Sequence, residues 1–204
     1  MAQKTIDTST EERIKEAARK VFTQKGFAAA RVKDIAEEAG INLALLSYYF
    51  RGKEKLFDLI MLENLQQFAG SLQAILNNTQ TSLHEKVQHL ATFYIDLLLA
   101  NPDLSFFILS EIRANPKMLA KHIGGAKLVH SHFIEQVSQE LTNRNNPTNP
   151  IQIFMTLLGM LVFPFVGRPL IQEVTGQEAA QFRALMEERK KHIPVWFGAI
   201  LSCN

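Results

Sequence analysis

Apolar residues recur along this chain at the spacing of α-helices. Ile14, Ala17, Ala18, Val21 and Phe22 follow an i, i+3, i+4, i+7, i+8 pattern, which places them on one helical face. Similar patterns continue toward the end of the chain, and no segment has the alternation that is typical of a strand. The sequence therefore predicts an all-α fold.

Capping residues and helix breakers give the predicted boundaries. Ser9 and Glu12 form an S-x-x-E capping box, and Gly26 predicts the C-terminal cap of a first helix over residues 10–25. The stretch 143–150, rich in Asn and Pro, predicts a loop. The other helices are predicted at residues 32–39, 43–49 or 43–50, 53–76, 83–100, 103–114, 116–142, 151–166 and 178–201.

The two short helices at 32–39 and 43–50 are joined by a glycine turn, as in a helix-turn-helix motif. Ala36 and Ala39 are small enough to let the two helices approach. Gly40 can adopt the positive φ of the turn, where we expect a Cβ to clash. Ile41 is predicted to pack between the helices, and Asn42 to cap the second one. A helix presented in this way fits the major groove of DNA, which is about 12 Å wide.

The spacing of these residues resembles the TetR family of bacterial transcriptional regulators. The resemblance extends over about residues 9–60. It implies a DNA-binding domain over 1–52 and a helical domain over 53–204 that dimerises and binds an effector. The matching strings are Phe22-x-x-x-Gly26-Phe27, Val32-x-Asp34-Ile35-Ala36-x-x-Ala39-Gly40-Ile41 and Tyr48-Tyr49-Phe50-x-Gly52-Lys53-Glu54-x-Leu56.

The resemblance also implies a set of DNA contacts, to which the sequence adds two hydrogen-bonding side chains, Asn42 and Ser47. Leu43 and Leu45 occupy positions that are often polar or small in the family. Their side chains favour methyl contacts with thymine over hydrogen bonds to guanine. Leu43, Leu45, Tyr48 or Tyr49 could instead belong to the core. The contacts carried over from the family are Lys33, Leu43, Ala44, Leu45, Tyr48, Tyr49 and Lys53.

Lys53 stands at the predicted start of a long helix. A cation is unfavourable at this end of the helix dipole unless an anion lies nearby, so this position favours a phosphate contact. The alternative is a solvated surface lysine.

The helix at 151–166 is apolar on nearly all sides, and the last helix adds further large apolar residues. Such surfaces predict a two-fold homodimer in which both helices pack against their symmetry mates, with Gly159 allowing a close approach. The alternative is burial inside one large subunit. The predicted interface residues are Phe154, Leu158, Leu161, Val162, Phe182, Met186, Ile193 and Phe197.

The middle of the chain predicts an effector pocket for an apolar or aromatic small molecule. It has more large apolar side chains than a small helical bundle needs, together with a few polar ones. Core packing for the apolar residues and solvent exposure for the polar ones are the alternatives. The candidate lining residues are Phe93, Tyr94, Leu97, Phe106, Phe107, Glu111, His130 and Phe133.

Composition adds constraints on partners and location. The 204 residues are 47% hydrophobic and 21% charged, as in a globular protein. Residues 1–55 have a net charge of +3 and residues 56–204 one of −1, which favours an anionic partner for the first segment. The alternative is a solvated helix face, which would give the same balance. A single Cys203 excludes a disulfide framework. The N-terminus has no apolar signal region and the longest apolar run is too short to span a bilayer, so we expect a cytoplasmic protein.

The sequence offers no pattern for catalysis or metal binding. The pairs His84/His89 and His130/His132 lack the i, i+4 spacing of helical metal ligands, so we expect no metal, no cofactor and no enzymatic activity. The predicted function is a DNA-binding transcriptional regulator, a ligand-responsive repressor acting as a homodimer on a near-palindromic operator. The alternative is a small-molecule-binding or protein-interaction module without sequence-specific DNA binding.

Overall fold

The computed structural model describes residues 8–202, except for the side chains of Thr8 and Ala126. Within that range the chain forms twelve α-helices and no strand, which confirms the predicted all-α fold. Cys203 lies outside the described residues. The helices are α1 (Thr8–Ala29), α2 (Val32–Glu38), α3 (Leu43–Tyr49), α4 (Lys53–Asn77), α5 (Leu83–Ala100), α6 (Leu104–Ala114), α7 (Pro116–His122), α8 (Gly125–Val129), α9 (His132–Asn143), α10 (Pro150–Val166), α11 (Arg168–Thr175) and α12 (Ala179–Ser202).

The packing of the chain divides it into two compact units. The first ends at Leu65 and the second begins at Gln66, so the division falls inside α4. The predicted domain boundary lies between residues 52 and 53, at the start of α4. It is a boundary of function rather than of packing, and it stays a prediction.

Helix α1 is interrupted near its C-terminal end. Gly26 has φ 72° and ψ 161°, a conformation outside the helical region, and one further turn follows it. The sequence predicts a left-handed cap at this glycine; its φ is positive, but its ψ of 161° lies outside the left-handed helical region. Helix α1 begins at Thr8, one residue before the cap predicted at Ser9. The apolar stripe from Ile14 to Phe22 is buried, as its spacing predicts.

An ion-pair network joins α1 to the first part of α4. The Glu63 carboxylate accepts a hydrogen bond from Lys15 Nζ at 2.8 Å and another from Arg19 Nη2 at 2.5 Å. Lys15 also pairs with Glu12. Burial by itself would lower the pKa of Lys15, but the bonds to these two carboxylates outweigh it and raise the pKa. Glu63 therefore fixes α4 against α1 within the first unit.

In the second unit α5 packs along α12, and α10 contacts α5, α6, α9, α11 and α12. The predicted bounds of α5 are confirmed, and its first turn is closed by a capping box between Ser82 and Glu85. Lys86 is fully buried, and its ammonium donates to the carbonyl oxygens of Asn78 and Thr81 at 2.5 and 2.8 Å. These bonds fix the connection between α4 and α5.

Two stretches differ from the predicted helices. The single helix predicted over 116–142 is three helices, because Gly124 adopts a left-handed conformation and the chain breaks again before α9, at Ser131. The chain between the helices predicted at 151–166 and 178–201 contains the whole of α11.

Across residues 8–202, no helix taken singly has the length and apolar character needed to cross a membrane. Two bent pairs, α5 with α6 and α10 with α11, meet that criterion by length and composition only.

Candidate functional site

The turn between α2 and α3 is built around Gly40, which has φ 64°. The Gly40 N–H donates to the Glu37 carbonyl at 3.1 Å, and the Ile41 N–H donates to the Ala36 carbonyl at 3.0 Å. The positive φ is confirmed, but a Cβ on Gly40 would meet no neighbouring atom within 4 Å. The expected clash is therefore absent, and the strain of a larger residue would come from its own backbone.

Asp34 fixes the start of α2 against the end of α1. Its carboxylate accepts a hydrogen bond from the Arg31 N–H at 3.0 Å and pairs with Lys25 Nζ at 3.1 Å. The backbone bond from Arg31, followed by the contact with Lys25, lowers the pKa of Asp34. On the other side of α2, Ile35 and Ala36 are buried.

Helix α3 has one buried and one exposed face. The Asn42 side chain caps it by accepting a hydrogen bond from the Leu45 N–H at 2.8 Å, as predicted. Leu46 is 1% exposed, whereas Leu43 is 47% and Tyr48 51% exposed. Positions 43, 44, 47 and 48 form one solvent-facing strip on this helix.

The other predicted DNA contacts lie around this strip. Lys33 is exposed on α2, and its Nζ lies 3.6 Å from Glu37 Oε1. Leu45 and Tyr49 are half-buried, at the edge between the two faces of α3. The rings of Tyr48 and Tyr49 pack edge to face, with their centroids 5.4 Å apart.

Lys53 has partners inside the first unit. Its ammonium donates to the carbonyl oxygens of Phe27 and Ala30, both at 3.0 Å, and lies 4.6 Å from the centroid of the Phe27 ring. The sequence predicted an anion at this helix start. The structure instead places the carbonyl oxygens at the end of α1 there, which carry partial negative charge.

Two exposed cations, Arg51 and Lys55, were not predicted as functional. They lie on either side of Lys53, after the C-terminal end of α3, and neither forms an ion pair in the part of the chain that the structure describes. Exposed cations are common on any helical protein. The sequence signal that could have identified these two residues is their position directly after α3, the helix that is expected to enter the major groove.

The predicted dimer residues lie on α10 and α12, but many of them face inward. Leu161, Phe182, Met186, Ile193 and Phe197 are buried within the second unit. Their side chains pack on neighbouring helices of the same chain, so an interface between subunits would use other positions. The remaining three, Phe154, Leu158 and Val162, are half-buried.

The same two helices expose other apolar residues. Met155, Gly159 and Phe163 follow one another at intervals of four on α10, and all three are exposed. On α12, Val195 and Trp196 are exposed, at 64% and 38%. We call these five residues the α10–α12 stripe.

The predicted effector residues are divided between core and surface. Those that line the interior are Tyr94, Phe107 and Phe133; Phe93, Leu97 and Glu111 are half-buried, while Phe106 and His130 are exposed. The Phe93 ring stacks on Phe68 with centroids 5.6 Å apart, and Tyr94 packs edge to face on the same ring at 4.8 Å. Burial raises the pKa of Tyr94.

Two open clefts of the second unit do not include these residues. One, of about 300 Å³, lies between α4 and the α7–α8 segment. The other, of about 350 Å³, lies between the ends of α5, α9 and α12 and contains the Glu140–Arg144 ion pair. Over residues 8–202, the His, Asp and Glu side chains form no group of three that could hold a metal ion.

The first unit has the geometry of a helix-turn-helix domain. A short helix with a buried inner face follows another across a tight glycine turn, and its outer face is open to solvent. This arrangement presents a recognition helix to the major groove of DNA. The chain is a DNA-binding protein of the transcription-regulator class.

Comparisons with known proteins agree with this class. Residues 14–60 match the family model of bacterial regulatory proteins of the tetR family. A full-length relative is "Probable HTH-type transcriptional regulator YttP" of Bacillus subtilis, 28% identical over 202 residues, which are 96% of this chain and 95% of that protein. The HTH-type transcriptional repressor NicS of Pseudomonas putida is 29% identical over 102 residues, 50% of this chain and 48% of NicS.

A solved structure has a similar fold. A transcriptional regulator of the TetR/AcrR family from Thermobifida fusca superposes with a TM-score of 0.65 at 18% identity, covering 92% of this chain and 97% of that one. Residues 14–60 form a DNA-binding domain of the TetR family, which confirms the resemblance found in the sequence.

Proposed function

We propose that this regulator is a ligand-responsive repressor that acts in the cytoplasm as a homodimer on a near-palindromic operator and has no catalytic activity. The observation that carries the proposal is the exposed strip of α3. Its outer face presents Leu43, Ala44, Ser47 and Tyr48 to solvent, while the inner face is fixed by buried Leu46.

The chemistry of this strip suits a mixed apolar and polar contact with bases. Leu43 and Ala44 offer methyl groups that can pack on the thymine methyl, and the hydroxyl groups of Ser47 and Tyr48 can hydrogen-bond to base edges or phosphates. Asn42, Leu45 and Tyr49 would contact DNA from the margins of the strip. Lys33, on α2, would neutralise a phosphate.

The α10–α12 stripe supports the proposed dimer. Exposed residues such as Phe163 and Val195 would leave water on pairing, and Gly159 has no side chain to keep a partner helix away. A two-fold dimer brings the stripe of one subunit against that of its mate. It would present two recognition helices to half-sites about 34–36 Å apart on the operator.

The aromatic cluster of Phe68, Phe93 and Tyr94 supports an apolar or aromatic effector. Phe93 and Leu97 are half-buried on α5, so their apolar surface is already partly accessible at the edge of the core. Glu111 and His130 could supply polar groups to such a ligand. An effector that binds one dimer conformation better than the other would change operator affinity.

Selection of duplexes from a random double-stranded DNA library tests the function directly. We expect the wild-type protein to enrich a near-palindromic sequence. Tyr48→Ala should bind that sequence more weakly, because it removes a ring and a hydroxyl from the exposed strip. Val129→Ala is a control at an apolar residue of similar exposure (45%) on α8, and it should bind as wild type.

The opposite result would favour a different function. If the wild-type protein enriched no sequence over bulk DNA, the chain would be an interaction or small-molecule-binding module instead.

A further inference from the structure

The Lys53 side chain joins the start of α4 to the end of α1. Lys53 is the first residue of α4, and its ammonium bonds to two carbonyl oxygens that lie 26 and 23 residues earlier in the chain. An ammonium has three N–H donors, so two of them are used in these bonds. The Phe27 ring packs against the same group, with its centroid at 4.6 Å.

The Phe27 ring is itself fixed in place. It packs on Phe57 with centroids 4.5 Å apart and on Phe22 at 6.0 Å, so α1 and α4 share one aromatic cluster. Phe22 and Phe57 are buried. The half-buried Lys53 side chain therefore lies against this aromatic cluster rather than extending freely into solvent.

The attachment of α4 to α1 also restricts the position of the C-terminal end of α3. Only Phe50, Arg51 and Gly52 separate α3 from Lys53, and Phe50 is buried. A short connection between two fixed points leaves α3 little freedom to tilt or slide. A change at Lys53 would therefore be transmitted to the exposed strip of α3.

We infer that Lys53 is a positioning residue for the recognition helix, and that Arg51 and Lys55 neutralise the DNA phosphates beside it. This inference rests on the proposed DNA contacts of α3. Arg51 and Lys55 are exposed, and neither has an ion-pair partner among residues 8–202. Their charges are therefore available to an external anion, whereas that of Lys53 faces carbonyl oxygens.

The salt dependence of DNA binding distinguishes the two roles. Each phosphate contact contributes about 0.9 to the slope of log affinity against log salt. We expect Arg51→Gln and Lys55→Gln each to reduce the slope by about 0.9 per subunit and to leave the melting temperature unchanged. The probe is the duplex selected by the wild-type protein, with random-sequence duplex as the second DNA.

Lys53→Gln should behave differently from both. We expect a lower melting temperature without DNA and, well below that temperature, about a tenfold loss of affinity with an unchanged slope. This loss is on the scale of a hydrogen bond to a charged group. Lys53→Arg keeps a cationic donor beside the carbonyl oxygens and should restore part of the affinity. Lys117→Gln removes an exposed charge from α7 and should change neither quantity.

Three results would overturn the inference. A slope reduced by about 0.9 per subunit in Lys53→Gln would make Lys53 a phosphate contact. An unchanged affinity with a lowered melting temperature would make it a purely structural residue. Unchanged slopes in both Arg51→Gln and Lys55→Gln would remove the two proposed phosphate contacts. Failure of the wild-type protein to bind any duplex selectively is a separate result, which contradicts the proposed function.

Discussion

Pro164 lies inside α10 and leaves the carbonyl oxygen of Met160 without its usual donor, because proline has no N–H. The structure supplies a replacement from α12. Arg189 Nε donates to this oxygen at 3.0 Å, and the guanidinium lies 5.0 Å from the centroid of the Trp196 ring. One side chain thus compensates for a proline on a neighbouring helix.

We expect Arg189→Leu to destabilise the wild-type protein and to have a smaller effect in a Pro164→Ala background. In that background the N–H of the new alanine can bond to the Met160 oxygen, so the arginine is partly redundant. A double-mutant cycle in urea should give a coupling of about 0.5–3 kcal/mol. Arg183→Leu, an exposed position on the same helix, is the control and should be additive with Pro164→Ala. Additivity of Arg189→Leu as well would contradict the compensation.

At the residue scale, local interactions were predictable from sequence and distant ones were not. The Asn42 cap joins residues three apart, so a short window of sequence contains both partners. The partners of Lys53 lie more than twenty residues away and are backbone atoms, which no residue type identifies. The helix dipole predicts an anion near Lys53, but a carbonyl oxygen with partial negative charge can occupy the same place, and the sequence does not distinguish it from a phosphate.

The first turn of α5 shows how a helix start depends on one carboxylate. Glu85 accepts hydrogen bonds from the hydroxyl and the backbone N–H of Ser82, at 2.7 and 2.8 Å. Both bonds lower the pKa of Glu85 from its ordinary 4.5, and the bond from the hydroxyl has the larger effect. A lowered pKa means that the folded state favours the ionised form. Its contribution to stability is therefore present above pH 4.5 and is lost as the pH falls through the folded value.

We expect Ser82→Ala to raise the pKa of Glu85 toward 4.5, because both the hydroxyl bond and the cap geometry are lost. The variant should melt below the wild type at pH 7, and the part of this difference due to Glu85 should vanish at acid pH. NMR titration of the Glu85 carboxyl carbon, with melting curves across pH, provides both measurements. Ser138→Ala, a helical serine of α9, should leave the titration unchanged. An unaltered Glu85 pKa in Ser82→Ala would contradict the role of the cap.

Helix boundaries were predictable where a cap was present and less so where a break depended on backbone conformation. The predicted start of α5 at residue 83 is confirmed, and Ser82, whose side chain is a typical N-cap, precedes it. The single helix predicted at residues 116–142 runs through Gly124 and Gly125, because glycine lowers helix stability without excluding a helix. The structure has a left-handed Gly124 there, and α7 and α8 are separate. Tertiary packing, rather than sequence, decides between these outcomes.

At the scale of the whole molecule, the sequence identified the helices proposed for the dimer but not their outward faces. A helix that is apolar nearly all round gives no periodic signal to distinguish the inner face from the outer one. Leu161 and Phe163 are equally apolar in sequence, yet the first is buried and the second is 66% exposed. Only the packing of α10 on its neighbours separates them.

We expect Phe163→Glu or Val195→Glu to dissociate the proposed dimer. Both residues belong to the α10–α12 stripe, and two-fold symmetry would bury each new carboxylate twice without a partner. The dimer dissociation constant should rise by about 30-fold or more, the scale of an interface hot spot. Operator binding should weaken with it, because two linked recognition helices bind more tightly than one.

Sedimentation velocity over a concentration series gives the dissociation constant, and circular dichroism verifies that each variant remains folded. Ile112→Glu is the matched control, since Ile112 is 51% exposed on α6 and does not belong to the stripe. It adds the same charge at another apolar surface position and should leave the dimer intact. A dimer lost in Ile112→Glu but retained in Phe163→Glu and Val195→Glu would place the interface on α6. A wild-type protein that is monomeric at micromolar concentration would rule out the proposed homodimer.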